Sequence, residues 1–436
     1  MAGRSDPCDS AGRINFIIFL ILMAAQSIFY VEMKGVDHEQ RDEKDGKGVG
    51  RGARLEHRGG SQVDAGRLTD RKPPGVPGDG KGGGKMIYVK KKNFLRVLAQ
   101  ASKLKTGIRL TCYNGSSLRV SAMDRDVFLT AYLPAESDGA FDVVLDRKPL
   151  VSAVKNSSGE GIRIKVDGSV ARVGVVQMPY GAGSDFPLKP CFPDTLDDVI
   201  HMAEELAVAV KRTVIAKDGG GILFEAGGRM VSTDGRRLSV YQLKERGQNW
   251  KAVFPRRAFE IAAGVLEKGQ HVRVELYDNL GRISCGGVAV IARLISENEF
   301  PPYEKVMKLC GGLSVFLPRS KFTKAVKQVA GLYRGKETPS MVLSFLEGEE
   351  MLISDMFKGV GACDVKIHAS FNPALVGMVV TLNPFYVLDW LKVLDKKSTA
   401  DLVMEVHAEK DECTKQVTFR DGADERFTYV LAPITK

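Results

Sequence analysis

The most suggestive chemistry in the chain is cationic. Stretches that can coil as amphipathic helices carry lysine and arginine opposite an apolar stripe, at the i, i+4, i+7 spacing of helix neighbours. In 93–103, Phe94, Val97, Leu98 and Ala101 share one side, while Arg96, Gln100 and Lys103 share the other, with Lys105 just beyond. In 148–155, Leu150, Val151 and Val154 oppose Lys148, Ser152 and Lys155; in 320–332, Phe322, Val326 and Val329 oppose Lys321, Lys324 and Gln328. The stretch 384–394 sets Leu388 and Leu391 against Lys392 and Lys396. Two more, 198–212 and 256–266, are less clean, because Glu204, Glu205 and Glu260 dilute Lys211, Arg212, Arg256 and Arg257. Any one such face is ordinarily just solvated. Six with cations in equivalent places point instead to a polyanion held through its phosphates without reading of its sequence.

Catalytic and metal chemistry find little support. The six histidines (His38, His57, His201, His271, His368, His407) are scattered, and no Ser-His-Asp or paired-carboxylate pattern stands out. The seven cysteines (Cys8, Cys112, Cys191, Cys285, Cys310, Cys363, Cys413) show neither C-x-x-C nor finger spacing, which suggests no zinc, no disulfide framework and a reducing compartment. The run Gly75 to Gly82 (GVPGDGKG) starts like a phosphate loop but has Gly82 where magnesium needs a hydroxyl, and no apolar strand leads into it. The expectation is a non-enzyme without metal or cofactor.

The elements that must position these cations repeat. A strand pattern ending in an acidic turn occurs at Leu118 to Asp124, Arg229 to Asp234 and Glu350 to Asp355, with the aspartates 110 and 121 residues apart. That period is too long for a solenoid and suits three tandem domains. Each domain holds two of the six helical stretches. Between them, runs such as 143–145, 272–276 and 402–406 read as strands. The plan is α+β, with two helices and two antiparallel sheets per domain, over 86–191, 192–308 and 309–436, after a low-complexity segment 1–85.

The middle repeat, Val231-Ser232-Thr233-Asp234-Gly235-Arg236-Arg237-Leu238-Ser239-Val240, closely resembles the TDG-x-RL segment of the bacterial sliding clamp, the DNA polymerase III beta subunit. Further segments agree in order: Asp185-Phe186-Pro187, Phe254-Pro255-Arg256-Arg257, Glu299-Phe300-Pro301-Pro302-Tyr303, Tyr386-Val387-Leu388-Asp389 and the tail Tyr429 to Ile434. The resemblance spans Met86 to Lys436. It implies three DNA-clamp domains forming half a ring, with sheets outside and helices lining the hole. Helices about 10 Å across leave a bore of roughly 10 Å if six close the ring, and somewhat under 30 Å if twelve do. Only the larger passes duplex DNA of roughly 20 Å, so two chains are needed. The implied function is a homodimeric processivity factor that encircles duplex DNA and tethers DNA polymerase III and other clamp-binding proteins, after loading by an ATP-dependent clamp loader, in the cytoplasm. The alternative is a divergent paralogue serving as an interaction scaffold without encircling DNA.

The resemblance also carries residues. A partner-peptide cleft maps to Thr233, Gly235, Arg236, Arg237, Leu238, Pro301, Lys305, Val306, Val430, Leu431, Pro433 and Ile434, an apolar groove with a polar rim suited to an extended peptide; the plain alternative is that Leu238, Val306 and Val430 are core residues. The cationic helix faces, not the resemblance, supply the expected DNA contacts: Arg96, Lys103, Lys105, Lys148, Lys155, Lys211, Arg212, Lys321, Lys324, Lys392 and Lys396. A head-to-tail interface would set Val173 and Val175, as a strand edge, against Val329 and Leu332; the plain alternative is that these are core residues. Three departures bear on partners. Lys217-Asp218-Gly219-Gly220-Gly221 is glycine-rich where the family carries tyrosines and a leucine, Ala432 and Thr435 replace larger or charged tail residues, and the loop at 103–107 is short, leaving Lys103 and Lys105 to stand in for its arginine.

Residues 1–85 belong to another compositional class. An apolar run from Ile14 to Val31 behind Arg4 and Arg13 resembles a signal peptide or a minimal membrane span. A membrane anchor conflicts with a DNA clamp. Translation from Met86, whose Ile87-Tyr88-Val89 opens like a first strand, resolves the conflict; a disordered extension is the alternative. Mass spectrometry of the native protein distinguishes them, since peptides from the 41–71 region would exclude the later start. The segment contributes +2 of the net +10, so the clamp-like part carries +8, and DNA retention is expected to fall steeply with salt.

Overall fold

The computed structural model describes residues 85–434 except 114, 194–197, 217–219, 245–248, 309–311, 334–338, 356–362 and 409–413. Contacts divide the chain into 1–82 and 83–436. The first unit, with the apolar run and the GVPGDGKG loop, lies outside the described residues, as do Cys8, Cys310, Cys413, His38, His57, Lys217 to Gly219 and Thr435. No helix among the described residues is long and apolar enough to cross a membrane.

The second unit repeats one order of elements three times. The first repeat runs β1 (Lys85–Lys90), α1 (Lys91–Ala101), β2 (Ile108–Cys112), β3 (Ser117–Met123), β4 (Val127–Ser137), β5 (Phe141–Leu145), α2 (Arg147–Asn156), β6 (Gly161–Asp167), β7 (Val170–Val173) and β8 (Val176–Ala182). The second runs β9 (Asp198–Met202), α3 (Ala203–Thr213), β10 (Ile222–Glu225), β11 (Arg229–Thr233), β12 (Arg237–Gln242), β13 (Lys251–Phe254), α4 (Arg256–Ala263), β14 (His271–Tyr277), β15 (Leu280–Cys285) and β16 (Val288–Arg293). A linker with the short helix α5 (Glu304–Met307) leads into the third: β17 (Leu313–Leu317), α6 (Arg319–Leu332), β18 (Met341–Leu346), β19 (Glu350–Asp355), β20 (Asp364–His368), β21 (Ser370–Phe371), β22 (Val379–Leu382), α7 (Pro384–Val393), β23 (Leu402–Ala408), β24 (Thr414–Asp421) and β25 (Asp424–Leu431). The two helices expected per repeat are present within an α+β architecture, and the antiparallel strands join into sheets of twelve, nine and four strands.

Two predicted helix bounds are corrected. Asp198–Met202 is strand β9, because Val199 and His201 are buried while Ile200 is exposed, a period of two that pairs with β14. Helix α7 stops at Val393, so Lys396 lies beyond it. The remaining helices bury the predicted stripes, such as Phe94, Val97, Leu98 and Ala101 in α1 and Phe322, Val326 and Val329 in α6.

Sheets run on from one repeat to the next. β4 pairs with β16, and β12 pairs with β25, each in an antiparallel ladder. Residues paired across the first junction share a face: Leu129 and Val290 belong to the main core under the helices, whereas Phe128 and Ile291 belong to a separate cluster on the other face. The second junction behaves alike, with Tyr241 and Phe427 in the main core and Leu238 and Val430 opposite. At each junction the helices of the two adjoining repeats therefore lie on the same side of the sheet they share, as the alternation of strand side chains requires.

Candidate functional site

The turns after the first two recurring strands are built by their aspartates, and the residues just after Asp355 lie outside the described ones. Asp124 Oδ1 accepts from the backbone N–H of Asp126 (3.2 Å) and Val127 (3.0 Å), and Asp234 Oδ1 accepts from Arg236 (3.2 Å) and Arg237 (3.0 Å). Between Asp234 and Arg236, Gly235 takes φ +80°, which L side chains rarely adopt. The second oxygen of each aspartate faces a guanidinium. Arg257 of α4 donates to Asp124 Oδ2 at 2.6 Å and so joins the second repeat to the first. Arg237 Nε donates to Asp234 Oδ2 at 2.6 Å, its Nη1 donates to Asp389 of α7 at 3.1 Å, and its guanidinium lies 4.3 Å from the Tyr386 ring. Burial alone would lower the pKa of Arg237, but Tyr429, Asp234 and Asp389 outweigh it and raise the value. Arg237 is thus an internal joint of the second and third repeats, not the exposed cleft contact expected for it.

An apolar cluster lies on the face of the second sheet away from the helices, where Leu238 and Val430 of the expected cleft fall. Leu238 and Val430 form its floor, together with Leu223, Val231, Val240 and Val253, and the linker residues Phe300, Tyr303 and Val306 pack over them. Tyr303 donates to Glu225 Oε1 at 2.8 Å and accepts from Arg229 at 3.1 Å; burial, foremost, raises its phenol to about 12. Three expectations are corrected here. Leu238 and Val430, at 5% and 4% exposure, are covered by the chain's own linker. Leu431 lies in the main core on the helix side, because it alternates with Val430 along β25. Thr233 is buried, with its Oγ accepting from the N–H of Gly235 at 3.1 Å. What remains open is a rim of Gly235, Arg236, Pro301, Lys305, Val306, Pro433 and Ile434. The tail is held there by Ala432 N–H donating to the Arg236 carbonyl (2.9 Å) and Ile434 N–H to that of Thr381 (2.8 Å).

Sequence reading missed Leu223, Val231, Val240 and the covering role of Phe300 and Tyr303. The signal was the two-residue alternation in β10 to β12, which puts all three aliphatic residues on the face of Leu238. Gly221, within the divergent glycine-rich loop, is required by its backbone. Its φ is +122°, and a Cβ there would come within 2.6 Å of the Phe254 carbonyl oxygen.

On the helix side, Lys103, Lys105, Lys148, Lys155, Lys211, Lys321 and Lys324 are exposed. Lys392 is exposed beside Asp389 at 3.0 Å, and Lys396 is exposed past the helix end. Lys103, Lys211 and Arg257 line a depression of about 390 Å³ between the end of α1 and helices α3 and α4, with Glu260 on its wall. Arg96 is half-buried and paired with Glu267 of the second repeat. Arg212 is the clear correction, at 5% exposure. Its guanidinium lies between the Tyr241 and Phe427 rings (5.2 and 5.1 Å) and donates to Asp424 Oδ2 at 2.6 Å, and Arg426 ties Asp424 to Glu205. It faces inward because the helix positions of the main-core residues Ala209 and Val210 rotate the last turn of α3 toward β25. Arg212→Gln is expected to cost about 1–3 kcal/mol of stability in urea unfolding.

The interface expectation also changes. Val173 and Val329 are buried within the single chain (1% and 0% exposed) and offer no surface to a partner. Strand β7 is paired on both sides, so Val173 is not at an edge. Val175 is 95% exposed at the tip of the β7–β8 turn, and Leu332 is half-buried at the end of α6.

Antiparallel sheets shared between neighbouring repeats, with a pair of helices on one face in each of three repeats, define a DNA-clamp fold. The chain is similar in structure to the DNA polymerase III beta subunit of Thermotoga maritima (TM-score 0.70, 17% identity, 81% of this chain and 100% of that one). It is similar also to the DNA polymerase sliding clamp of Bacillus subtilis (0.68, 16%, 81% and 100%) and to the DNA polymerase III subunit beta of Pseudomonas aeruginosa (0.68, 19%, 80% and 100%). A sliding clamp of the last organism has been solved bound to griselimycin. No protein-family model and no curated protein sequence matches the chain.

Proposed function

We propose that the protein is a DNA sliding clamp, two copies of which close head to tail around duplex DNA and hold replication partners at the outer rim. One observation carries the reading. At both internal junctions, the strand that follows an aspartate turn (β4, β12) pairs with the last strand of the next repeat (β16, β25). The third counterparts are β20, the next described strand after Asp355, and β8, the last strand of the first repeat. Among the described residues β20 pairs only with β19, and residues 176–179 of β8 pair only with β7. A second copy supplies each with the partner that the pattern calls for, and unpaired edges of this kind are templates for it.

Duplex DNA would then lie against the helix side, where the exposed lysines supply contacts to phosphate but none to base edges. DNA polymerase III and other clamp-binding proteins would present an extended segment to Pro301, Val306, Pro433 and Ile434, with Arg236 and Lys305 at the rim. Loading needs an external, ATP-driven opener, and the cytoplasm is the compartment in which these partners meet. The test is retention of protein starting at Met86 on nicked circular DNA, loaded by a matched loader, before and after the circle is cut. Loss on cutting is the expected result. Equal retention on both forms would mean ordinary electrostatic binding and would sink the proposal.

A further inference from the structure

Strand alternation divides the first sheet into a core face and an exposed one. Ile87, Val89, Ile162, Ile164, Ala171 and Val173 lie in the main core under the helices, so Tyr88, Lys90, Arg163 and Arg172 of β1, β6 and β7 project from the opposite face. Register sets Arg163 directly beside Tyr88, and Gly161 beside Lys90. The ring of Tyr88 lies across the neighbouring strand, since a Cβ at Gly161 would collide with its Cζ, Cε2 and Oη. One side of the ring is thereby seated on Gly161, while the residue stays 40% exposed.

The cations beside this ring are not neutralised. Lys90, Arg163 and Arg172 are exposed and form no ion pair among the described residues, and Arg172 has the neutral Gln177 across from it on β8. Lys165 is paired with Asp167 at 3.7 Å, and Glu136 of β4 stands on the far side of Tyr88 from Arg163. The track from Tyr88 over β6 and β7 is therefore cationic. The other repeats supply a comparison. At the position of Tyr88 stand Ile200 of β9 and Phe316 of β17, both exposed. Ile200 has Arg273 beside it as Tyr88 has Arg163, but Arg273 is paired with Asp198 at 3.2 Å. Phe316 lies between Val403 and Ser370, with no cation at either paired position.

We infer that this face of the first sheet binds single-stranded DNA, one base stacking on Tyr88 and the phosphates held by Arg163, Arg172 and Lys90. A planar base covers the open side of the ring while the backbone meets the cations, a combination by which exposed sheets hold single strands without reading sequence. A duplex keeps its bases stacked on one another and offers only phosphates, so it gains nothing from the ring. The site follows from the sheet. That its strand is DNA rests on the clamp reading, in which this face lies away from the lysines around the duplex.

The probe is a labelled oligothymidylate of about 12 nucleotides, titrated against the intact protein by fluorescence anisotropy. Parallel arms are an abasic strand of the same length, oligouridylate and polyglutamate. Oligothymidylate should bind about tenfold more tightly than the abasic strand, which has the charge without the bases. Tyr88→Ala should remove that advantage and leave the abasic strand unaffected, whereas Tyr88→Phe and Phe316→Ala should bind as wild type. Arg163→Gln should lower the salt slope by about 0.7. Tyr88→Ala should still be retained on nicked circular DNA, so failure of this inference and failure of the clamp reading give different results. Equal binding of the abasic strand, unchanged binding by Tyr88→Ala, or tighter binding of polyglutamate would each overturn the inference, and tighter binding of oligouridylate would overturn the choice of DNA.

Discussion

Arg237→Ala is expected to cost about 3–5 kcal/mol of folding stability, the usual price of removing one member of a buried ion pair. The loss strands two carboxylates, Asp234 at 2.6 Å and Asp389 at 3.1 Å, and leaves a hole against Tyr386. Because Asp389 belongs to α7, the damage concentrates on the joint between the second and third repeats. Arg237→Met fills the hole without the charge and separates the two contributions. Burial of Asp389 opposes its ionisation, but hydrogen bonds from Lys392 and Arg237 outweigh it and hold the carboxyl below 3.8. A depressed carboxylate stabilises the fold fully above its unfolded value, and that contribution is lost as pH falls through the folded one. Wild type should therefore lose this increment only below about pH 4. Arg237→Met should show a flatter acid limb. Urea unfolding between pH 3 and 7 measures both, and an Arg237→Ala cost under about 1 kcal/mol would refute the joint.

Val176→Asp should convert a dimer into a monomer. Val176 is 38% exposed at the start of β8, so the folded protomer tolerates the change. In the proposed ring the same edge lies under β20 of a second copy, where an unpaired carboxylate costs about 3–5 kcal/mol, or at least a hundredfold in dissociation constant. Light scattering after gel filtration reads the mass, and the circular-DNA assay should lose its signal in parallel. A dimer that survives the substitution would place the interface elsewhere. Val329→Asp, by contrast, should unfold the third repeat without any specific effect on association, since that side chain is wholly buried.

Much of the architecture was legible in residue order. The aspartate turns at Asp124 and Asp234, the stripes of α1, α2 and α6, and strands such as β14 and β23 follow from periodicity, because a buried face must recur every 3.6 or every two residues whatever the rest of the chain does. The exposed lysines of the helix side were legible for the same reason. Direction at the ends of elements was not. Arg212 sits at the end of α3, where pattern allows either side, and it is the facing Asp424, Tyr241 and Phe427, up to 212 residues away, that draw it inward. Arg237, Leu238 and Val430 were placed correctly in the chain but misjudged in access, since only the folded linker with Phe300 and Tyr303 shows that the floor of the groove is covered.

The sequence by itself determined that this is a threefold α+β array whose helices bury one stripe and leave lysines on the other, because hydrophobic periodicity is a local property of the chain. The tertiary structure alone decided which cations are surface and which are joints, which strand edges stay open, and that Arg163 of the first repeat has no acidic partner among the described residues where Arg273 of the second has Asp198. Those depend on neighbours distant in sequence, and a charge is free or spent according to what packs beside it.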